Sequence, residues 1–149
     1  MKFKGLFSSN NQNWRTPQKL YDRLDNEFHF DYDPCPSISV DELRLKDGLG
    51  SDWGKCNYIN PPYKDVSKWL KKGYEESLKG NTCVFLIPSR TDTRLWHDFV
   101  MKASEIRFIK GRIKFVDTGN RYFAPFPSAI VIFKNNGNKQ KFIGYEIEP

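Results

Sequence analysis

Hydrophobic and polar residues change their period along this chain, and the period predicts where helices and strands lie. Leu20, Leu24 and Phe28 recur every four positions, which gives one apolar face to a helix. Residues 82–87 form a continuous apolar run between turn signals, as expected of a strand that is buried on both sides. The chain therefore contains both helical and strand patterns.

A second helix is predicted between two apolar strands. The first strand ends with Tyr58-Ile59, and Asp65 is a suitable N-cap for a helix that runs to about Leu78 and ends at Gly80. The apolar side of this helix consists of Val66, Trp69, Leu70 and Tyr74. A strand, a helix and a strand in this order form a βαβ unit, which implies a parallel sheet.

The remaining pattern predicts shorter elements. Thr16 is a suitable N-cap and Pro17 a suitable first residue for the first helix. Thr93 is a candidate cap for a third helix. Further strands are expected at residues 28–32, 105–109, 112–115, 128–133 and 142–145, with a loop at 117–126 and a hairpin turn at 135–138. We predict an α/β fold whose mostly parallel sheet ends in a C-terminal antiparallel hairpin.

Length and composition indicate one folded domain. A chain of 149 residues with 15% aromatic residues is expected to bury a core, so we predict a single domain over residues 14–149 after a flexible arm, 1–13. No apolar run approaches a membrane span and the start of the chain is no signal-peptide core, which predicts a cytoplasmic protein without a membrane partner. Cys35, Cys56 and Cys83 lack metal-ligand spacing, so we expect reduced thiols and no metal site.

The net charge favours a polyanionic partner. The chain carries 24 basic and 18 acidic residues, a formal charge of +6, which suits nucleic acid. An ordinary basic surface without such a partner is equally compatible with this charge.

Asn60-Pro61-Pro62-Tyr63 carries the most specific chemistry. Neither proline donates a backbone hydrogen bond, and both restrict the chain, so the segment is a stiff corner at the carboxyl end of a strand, where open α/β sheets bind ligands. The Asn60 side-chain oxygen and the Pro61 carbonyl are two acceptors, and Tyr63 offers a ring for stacking. This set fits an exocyclic amino group on a planar heterocycle. A proline-rich turn that only caps the strand is the alternative.

The same tetrapeptide after a hydrophobic strand resembles the catalytic motif of amino-methyltransferases that use S-adenosylmethionine. Further matching segments follow in order over nearly the whole chain, at residues 14–17, 33–37, 47–49, 53, 60–63, 86–91, 111–115 and 126–128. The chain thus resembles the compact phage-type DNA N6-adenine methyltransferases. The resemblance implies a Rossmann-like methyltransferase fold, S-adenosylmethionine as cofactor, double-stranded DNA as partner, methyl transfer to N6 of adenine, and action in the cytoplasm of a bacterial host.

The resemblance also implies the residues of the cofactor site. It places the methionine end of the cofactor at the start of the first helix and other parts at two loops; the residues are Trp14, Thr16, Pro17, Asp33, Cys35, Ser37 and Asp47. The loop at 33–37 has two prolines where the family has a glycine-rich turn, so a simple proline-rich turn is the alternative there. Asp47 is a candidate for the adenine amino group of the cofactor, or a solvent-exposed turn residue.

Basic residues near the same edge are candidates for DNA contacts. Arg90 and Arg94 follow the strand at 82–87, Arg112 and Lys114 share one strand face, and Arg121 lies in an aromatic loop. They suit phosphate contacts, although surface arginines and ion pairs have the same appearance. The aromatic residues of this loop either reach the DNA or pack on the core.

Two other classes of function remain open from the sequence. The Asn-Pro-Pro-Tyr motif also serves enzymes that methylate RNA or a glutamine amide in proteins. The prolines around Cys35 also suit a catalytically silent DNA-binding module. We assign neither an oligomeric state nor the bases that flank a target adenine.

Overall fold

The computed structural model describes residues 16–36, 48–117, 120–135 and 139–147. The described helices are α1 (Gln18–Phe28), α2 (Val66–Leu78) and α3 (Arg94–Asp98), and 3-10 turns occupy Tyr63–Asp65 and Val100–Lys102. The described strands are β1 (Cys56–Ile59), β2 (Thr82–Pro88), β3 (Glu105–Ile109), β4 (Lys114–Asp117), β5 (Asn120–Phe123), β6 (Ser128–Phe133) and β7 (Lys141–Tyr145). Residues 48–50 are also helical.

A five-stranded sheet in the order β1-β2-β6-β3-β7 forms the centre of the molecule. β1 pairs parallel with β2, and β3 pairs parallel with β7. β6 lies between β2 and β3 and is antiparallel to both. Four strands therefore point the same way, and the carboxyl ends of β1, β2 and β3 share one edge with the start of β6. We call this the carboxyl edge.

The two faces of the sheet bury separate cores. On one face α2 and α3 cover a cluster that includes Phe85, Val131 and Phe133. On the other face α1 covers Val84 and Ile130, together with residues around the β4–β5 hairpin. Continuous apolar strands are expected where helices cover both faces of a sheet, as β2 and β6 show.

The βαβ unit that the pattern predicts is confirmed. α2 connects β1 to β2, Asp65 occupies its N-cap position, and Gly80 follows its end with a φ of 98°. α2 lies very close to the sheet at Gly73, where a Cβ atom would stand 2.3 Å from the Phe85 ring. This contact fixes the helix that follows the candidate catalytic corner against the strand next to it.

The expected first strand at residues 28–32 is reduced to one bridge. Phe28 completes α1, and His29 then adopts a left-handed conformation with a φ of 57°. Only Tyr32 pairs with β1, through a parallel bridge to Asn57. The pattern was misleading because Phe28 continues the apolar face of the helix as well as beginning the alternation.

The C-terminal antiparallel hairpin is wrong. β6 and β7 are not partners, because β3 lies between them and pairs with β7 in the parallel direction. Among the described strands, β4 and β5 form an antiparallel hairpin instead, and β5 occupies part of the expected loop at 117–126. The placement of β7 at an edge of the sheet is confirmed.

The expected arm at 1–13 and most of the expected turn at 135–138 lie outside the described residues. The other expected elements agree with the structure apart from their ends. The N-cap position of α1 is Pro17 rather than Thr16, and the Thr16 hydroxyl contacts the Tyr58 hydroxyl instead. Cys35, Cys56 and Cys83 are free thiols. Within the described ranges, no helix has the length and apolar character that a membrane crossing requires.

Candidate active site

The diproline corner, residues 60–63, follows β1 directly at the carboxyl edge. Pro61 and Pro62 are buried, whereas Asn60 and Tyr63 are half-buried. The Pro62 carbonyl accepts a hydrogen bond of 3.3 Å from the Asp65 backbone N–H, which begins the 3-10 turn before α2. The prolines thus anchor the corner in the protein, and the two residues that flank them reach its surface.

Two separate segments contact Asn60. Its amide nitrogen lies 3.4 Å from the Thr16 hydroxyl, just before α1. Its backbone carbonyl accepts a hydrogen bond of 3.6 Å from the Cys35 thiol, in the segment that follows the Tyr32 bridge. Burial raises the pKa of this thiol to about 12, so it keeps the proton that it donates. Asn60 is therefore fixed both through its side chain and through its backbone.

Asp33 lies in the same segment as Cys35. Its Oδ1 accepts a hydrogen bond of 2.9 Å from the Cys35 backbone N–H. The side chain is exposed, but the surrounding protein desolvates the carboxyl and raises its pKa to about 6, while the hydrogen bond from Cys35 opposes this shift. A carboxyl group that is both reachable and poorly solvated is suited to a cationic ligand.

Tyr63 packs against the segment that leads into β6. Its ring meets Phe126 edge to face, with centroids 5.5 Å apart and an interplanar angle of 86°. The Arg90 guanidinium lies over the Phe126 ring, 5.8 Å from its centre. The Ser89 backbone N–H donates a hydrogen bond of 2.8 Å to the Pro127 carbonyl. This bond joins the residue after β2 to the residue before β6.

The β4–β5 hairpin presents a basic, aromatic outer face. Arg112 and Lys114 are exposed, whereas Ile113 and Phe115 are buried, as the alternating pattern predicts. Phe123 pairs with Lys114 across the hairpin and is 64% exposed. The Lys114 ammonium lies 5.1 Å from the Phe123 ring centre. A face of this composition suits a phosphate backbone and stacked bases.

The structure brings together many, but not all, of the residues that the sequence proposed. Thr16 and Cys35 each contact Asn60, Pro17 follows Thr16 in the chain, and Asp33 accepts a hydrogen bond from the Cys35 backbone N–H. Arg90 and Arg94 are exposed near the end of β2. The residues that lie outside the described residues are Trp14, Ser37 and Asp47, and the same holds for the side chain of Arg121.

Sequence reasoning missed one polar member of this cluster, Tyr58. The sequence pattern places it only at the end of an apolar strand, but its hydroxyl lies 2.5 Å from the Thr16 hydroxyl. A signal was present, because a tyrosine inside an otherwise apolar strand needs a hydrogen-bond partner when it is buried.

The described residues contain no group of three or more His, Cys, Asp or Glu side chains that could hold a metal ion. What the cluster offers is an amide with fixed orientation, a hydroxyl, a carboxylate and an aromatic ring at one edge of a sheet. These groups are suited to positioning a ligand.

Comparison with known proteins gives a family and a distant structural similarity. One solved structure, described as a predicted O-methyltransferase from Agrobacterium tumefaciens, matches with a TM-score of 0.42 and 14% identity. The match covers 74% of this chain and 52% of that protein, so this chain spans about half of its length. No curated protein matches. The family model for DNA N-6-adenine-methyltransferase (Dam) matches residues 5–146. This chain belongs to that family.

Proposed function

We propose that this protein transfers a methyl group from S-adenosylmethionine to N6 of adenine in double-stranded DNA. Membership of the Dam family supports the reaction class. The observation that carries the residue assignment is the position of Asn60, which Thr16 and Cys35 contact at the carboxyl edge, three residues before Tyr63.

The residues around Asn60 fit S-adenosylmethionine. When bound, this cofactor supplies a methyl group on a positively charged sulfur, and it also carries an ammonium and a carboxylate. The Asp33 carboxylate suits a positive group, because an adjacent cation offsets the desolvation that raises its pKa. The Thr16 hydroxyl suits an acceptor such as the carboxylate. We also assign Trp14, Pro17, Cys35, Ser37 and Asp47 to this site.

The diproline corner would bind the target adenine. The Asn60 amide nitrogen lies 3.4 Å from the Thr16 hydroxyl, and we assign the side-chain oxygen of the same amide as the acceptor for one hydrogen of the adenine amino group. The Pro61 carbonyl accepts the second amino hydrogen, and Pro62 stiffens the corner. Two such acceptors draw the nitrogen lone pair out of conjugation, so the transfer needs no strong base. Positioning supplies most of the catalysis.

Tyr63 would stack on the adenine after it has left the duplex. Its edge-to-face contact with Phe126 fixes the plane of the ring. Extruding the base costs a few kcal/mol of unstacking, which contacts with the bound base must offset. Burial raises the pKa of the Tyr63 phenol, so the ring remains neutral at physiological pH.

DNA would lie across the carboxyl edge and contact basic residues in the segments that follow β2 and β3. We assign phosphate contacts to Arg90, Arg94, Arg112, Lys114 and Arg121. The formal charge of +6 favours this partner, and the enzyme would act in the cytoplasm of a bacterial host, encoded by a phage or prophage.

The deciding experiment measures transfer of tritiated methyl groups from S-adenosylmethionine to double-stranded DNA, total RNA and mixed protein under matched conditions. We expect label in DNA, recovered as N6-methyladenine after digestion. Label confined to RNA or protein would reassign the substrate to the other classes that share the Asn-Pro-Pro-Tyr motif.

A catalytically silent DNA-binding module is the second candidate, since prolines flank Cys35 where a glycine-rich turn is expected. Calorimetry with S-adenosylmethionine separates the two. Heat of binding at micromolar to millimolar cofactor supports the enzyme, and no binding in that range, together with DNA binding, supports the silent module.

A further inference from the structure

Tyr58 is a buried residue of β1 whose hydroxyl contacts Thr16 of the candidate site. The residue is 2% exposed, and its ring contacts Tyr21 edge to face at 5.2 Å and Phe30 at 5.2 Å. Its hydroxyl oxygen lies 2.5 Å from the Thr16 Oγ1. Because aromatic neighbours pack against the ring, they restrict its motion and keep the hydroxyl in one position.

Thr16 joins this fixed point to the diproline corner. The Asn60 amide nitrogen can only donate, so Thr16 Oγ1 accepts at the 3.4 Å contact. A threonine hydroxyl has one hydrogen and two acceptor lone pairs. If Tyr58 donates as well, both lone pairs of Thr16 are used, and its single hydrogen is directed to a third group.

We propose that Tyr58 is a positioning residue for methyl transfer, acting through Thr16 to set the orientation of the Asn60 amide. The proposal rests on the proposed function of the corner. The phenol donates to Thr16, Thr16 accepts from Asn60, and the Thr16 hydrogen is available to an acceptor on the cofactor. These hydrogen bonds orient the Asn60 amide so that its side-chain oxygen, rather than its nitrogen, faces the amino group of the target base.

The burial of Tyr58 is consistent with this direction of donation. Desolvation raises the pKa of the phenol, so it keeps its proton throughout the working pH range. A neutral phenol in a fixed place is a permanent donor. The same series of hydrogen bonds also links the proposed cofactor site to the proposed base site, because Thr16 belongs to both.

The test is Tyr58→Phe, which keeps the ring and removes only the hydroxyl. We expect the single-turnover rate of methyl transfer to fall about tenfold, the effect of losing roughly one hydrogen bond from the reacting geometry. The affinities for S-adenosylmethionine and for DNA should change by no more than about twofold, since a side chain that is 2% exposed should touch neither ligand directly.

Tyr145→Phe is the matched control. Tyr145 is also buried, on the same face of the sheet, but it lies on β7, four strand spacings or about 19 Å from β1. Removing its hydroxyl should leave the single-turnover rate unchanged. A fall of equal size in both variants would indicate a general effect of lost tyrosine hydroxyls and would overturn the proposal.

A double-mutant cycle with Thr16 tests whether Tyr58 acts through that residue. Thr16→Ser keeps the hydroxyl and should retain the sensitivity to Tyr58→Phe. Thr16→Val removes the link, so adding Tyr58→Phe should then slow transfer by less than about twofold. A full tenfold effect in the Thr16→Val background would contradict the relay.

Failure of this proposal differs from failure of the proposed function. An inactive wild-type protein would refute the function. An active wild type whose rate is unchanged in Tyr58→Phe would refute only the role of Tyr58, even if that variant melts at a lower temperature.

Discussion

Helix α1 is attached to the rest of the protein by polar contacts near both ends, and the two attachments differ in kind. Near its end, Arg107 of β3 donates to both Glu27 oxygens at 2.7 and 2.5 Å and also contacts Glu105. Just before its start, Thr16 connects Tyr58 to Asn60. The first attachment pairs charges within the protein, whereas the second leads to the carboxyl edge.

Two carboxylates make the difference measurable. The hydrogen bond from Arg107 holds the pKa of Glu27 below its usual range. Desolvation raises the pKa of Asp33 to about 6. A carboxylate whose charge is compensated stabilises the fold, whereas a desolvated one without that compensation costs stability and is suited to a ligand. The direction of the pKa shift thus distinguishes Glu27, whose charge is paired within the protein, from Asp33, which lies in the segment that contacts Asn60.

The largest effect is expected from Asn60→Ala. Removing the amide should slow methyl transfer by about 10³-fold or more, the scale seen when a group that stabilises a transition state is lost. Cofactor affinity, measured by calorimetry, should change by no more than about threefold.

Asn57→Ala is the control for that substitution. Asn57 lies three residues earlier, and its amide bonds only within the fold, to Gly54 at 2.8 Å and to the Thr82 carbonyl at 3.1 Å. This variant should lose stability but keep the rate per folded molecule. Near-normal methylation by Asn60→Ala would refute the role of the corner.

Arg107→Ala, unlike Asn60→Ala, should lower stability and leave the rate of methyl transfer nearly unchanged. It leaves two carboxylates without their partner, so we expect a loss of about 2–3 kcal/mol in the free energy of unfolding, below the range for fully buried pairs because Glu27 is 44% exposed. Urea denaturation measures this loss. The rate of methyl transfer per folded molecule should remain within about twofold of wild type.

Low pH should weaken the contact between Arg107 and Glu27. Because the pKa of Glu27 is lower in the folded state, its stabilisation is present above its unfolded pKa and is lost as pH falls through the folded value. Arg107→Ala should therefore flatten the acid limb of the stability curve. An unchanged limb would show that this pair does not contribute.

Asp33 should make cofactor binding depend on pH. With a pKa of about 6 it is ionised at pH 7.5 but only about one-tenth ionised at pH 5, so affinity for the cationic cofactor should fall about tenfold between them. Asp33→Asn should bind weakly and show a flat profile in calorimetry. Glu27→Gln is the control and should retain the wild-type profile. A pH dependence that persists in Asp33→Asn would place the titrating group elsewhere.

The smallest effect concerns the DNA surface. Phe123→Ala should weaken DNA binding about fivefold, since base–aromatic stacking is worth about 1 kcal/mol or more. Phe142→Ala is the control, because Phe142 is 52% exposed on another strand and pairs with Ile106 near the start of β3, away from the carboxyl edge. Fluorescence anisotropy with a labelled duplex measures both affinities. Equal losses would show that the hairpin has no special role in binding.

Local patterns predicted the parts of the fold that depend on neighbours in sequence. The βαβ unit follows from Asp65, Gly80 and the apolar run at 82–87, all of which act within a few residues. The partners of β6 depend on contacts with β2 and β3, which are distant in sequence and leave no local pattern. Local patterns therefore do not specify which strand lies beside β6, and the expected pairing of β6 with β7 is wrong.

The same distinction applies to the candidate site. The motif at residues 60–63 identified the corner, and the family resemblance proposed Thr16 and Cys35, which the structure brings into contact with Asn60. The role of Tyr58 and the contact between Tyr63 and Phe126 both depend on how distant segments pack. The sequence alone therefore indicates the candidate reacting groups better than the groups that we propose position them.

The position of β6 also has a consequence for synthesis on the ribosome. β6 is the sixth described strand along the chain but the third across the sheet, between β2 and β3. Until residues 128–133 emerge, β1–β2 and β3 cannot join into one sheet, and the Phe126 side of the corner is missing. A nascent chain can therefore join the two parts of this sheet only after residues 128–133 have left the ribosome, and the candidate site is incomplete until then.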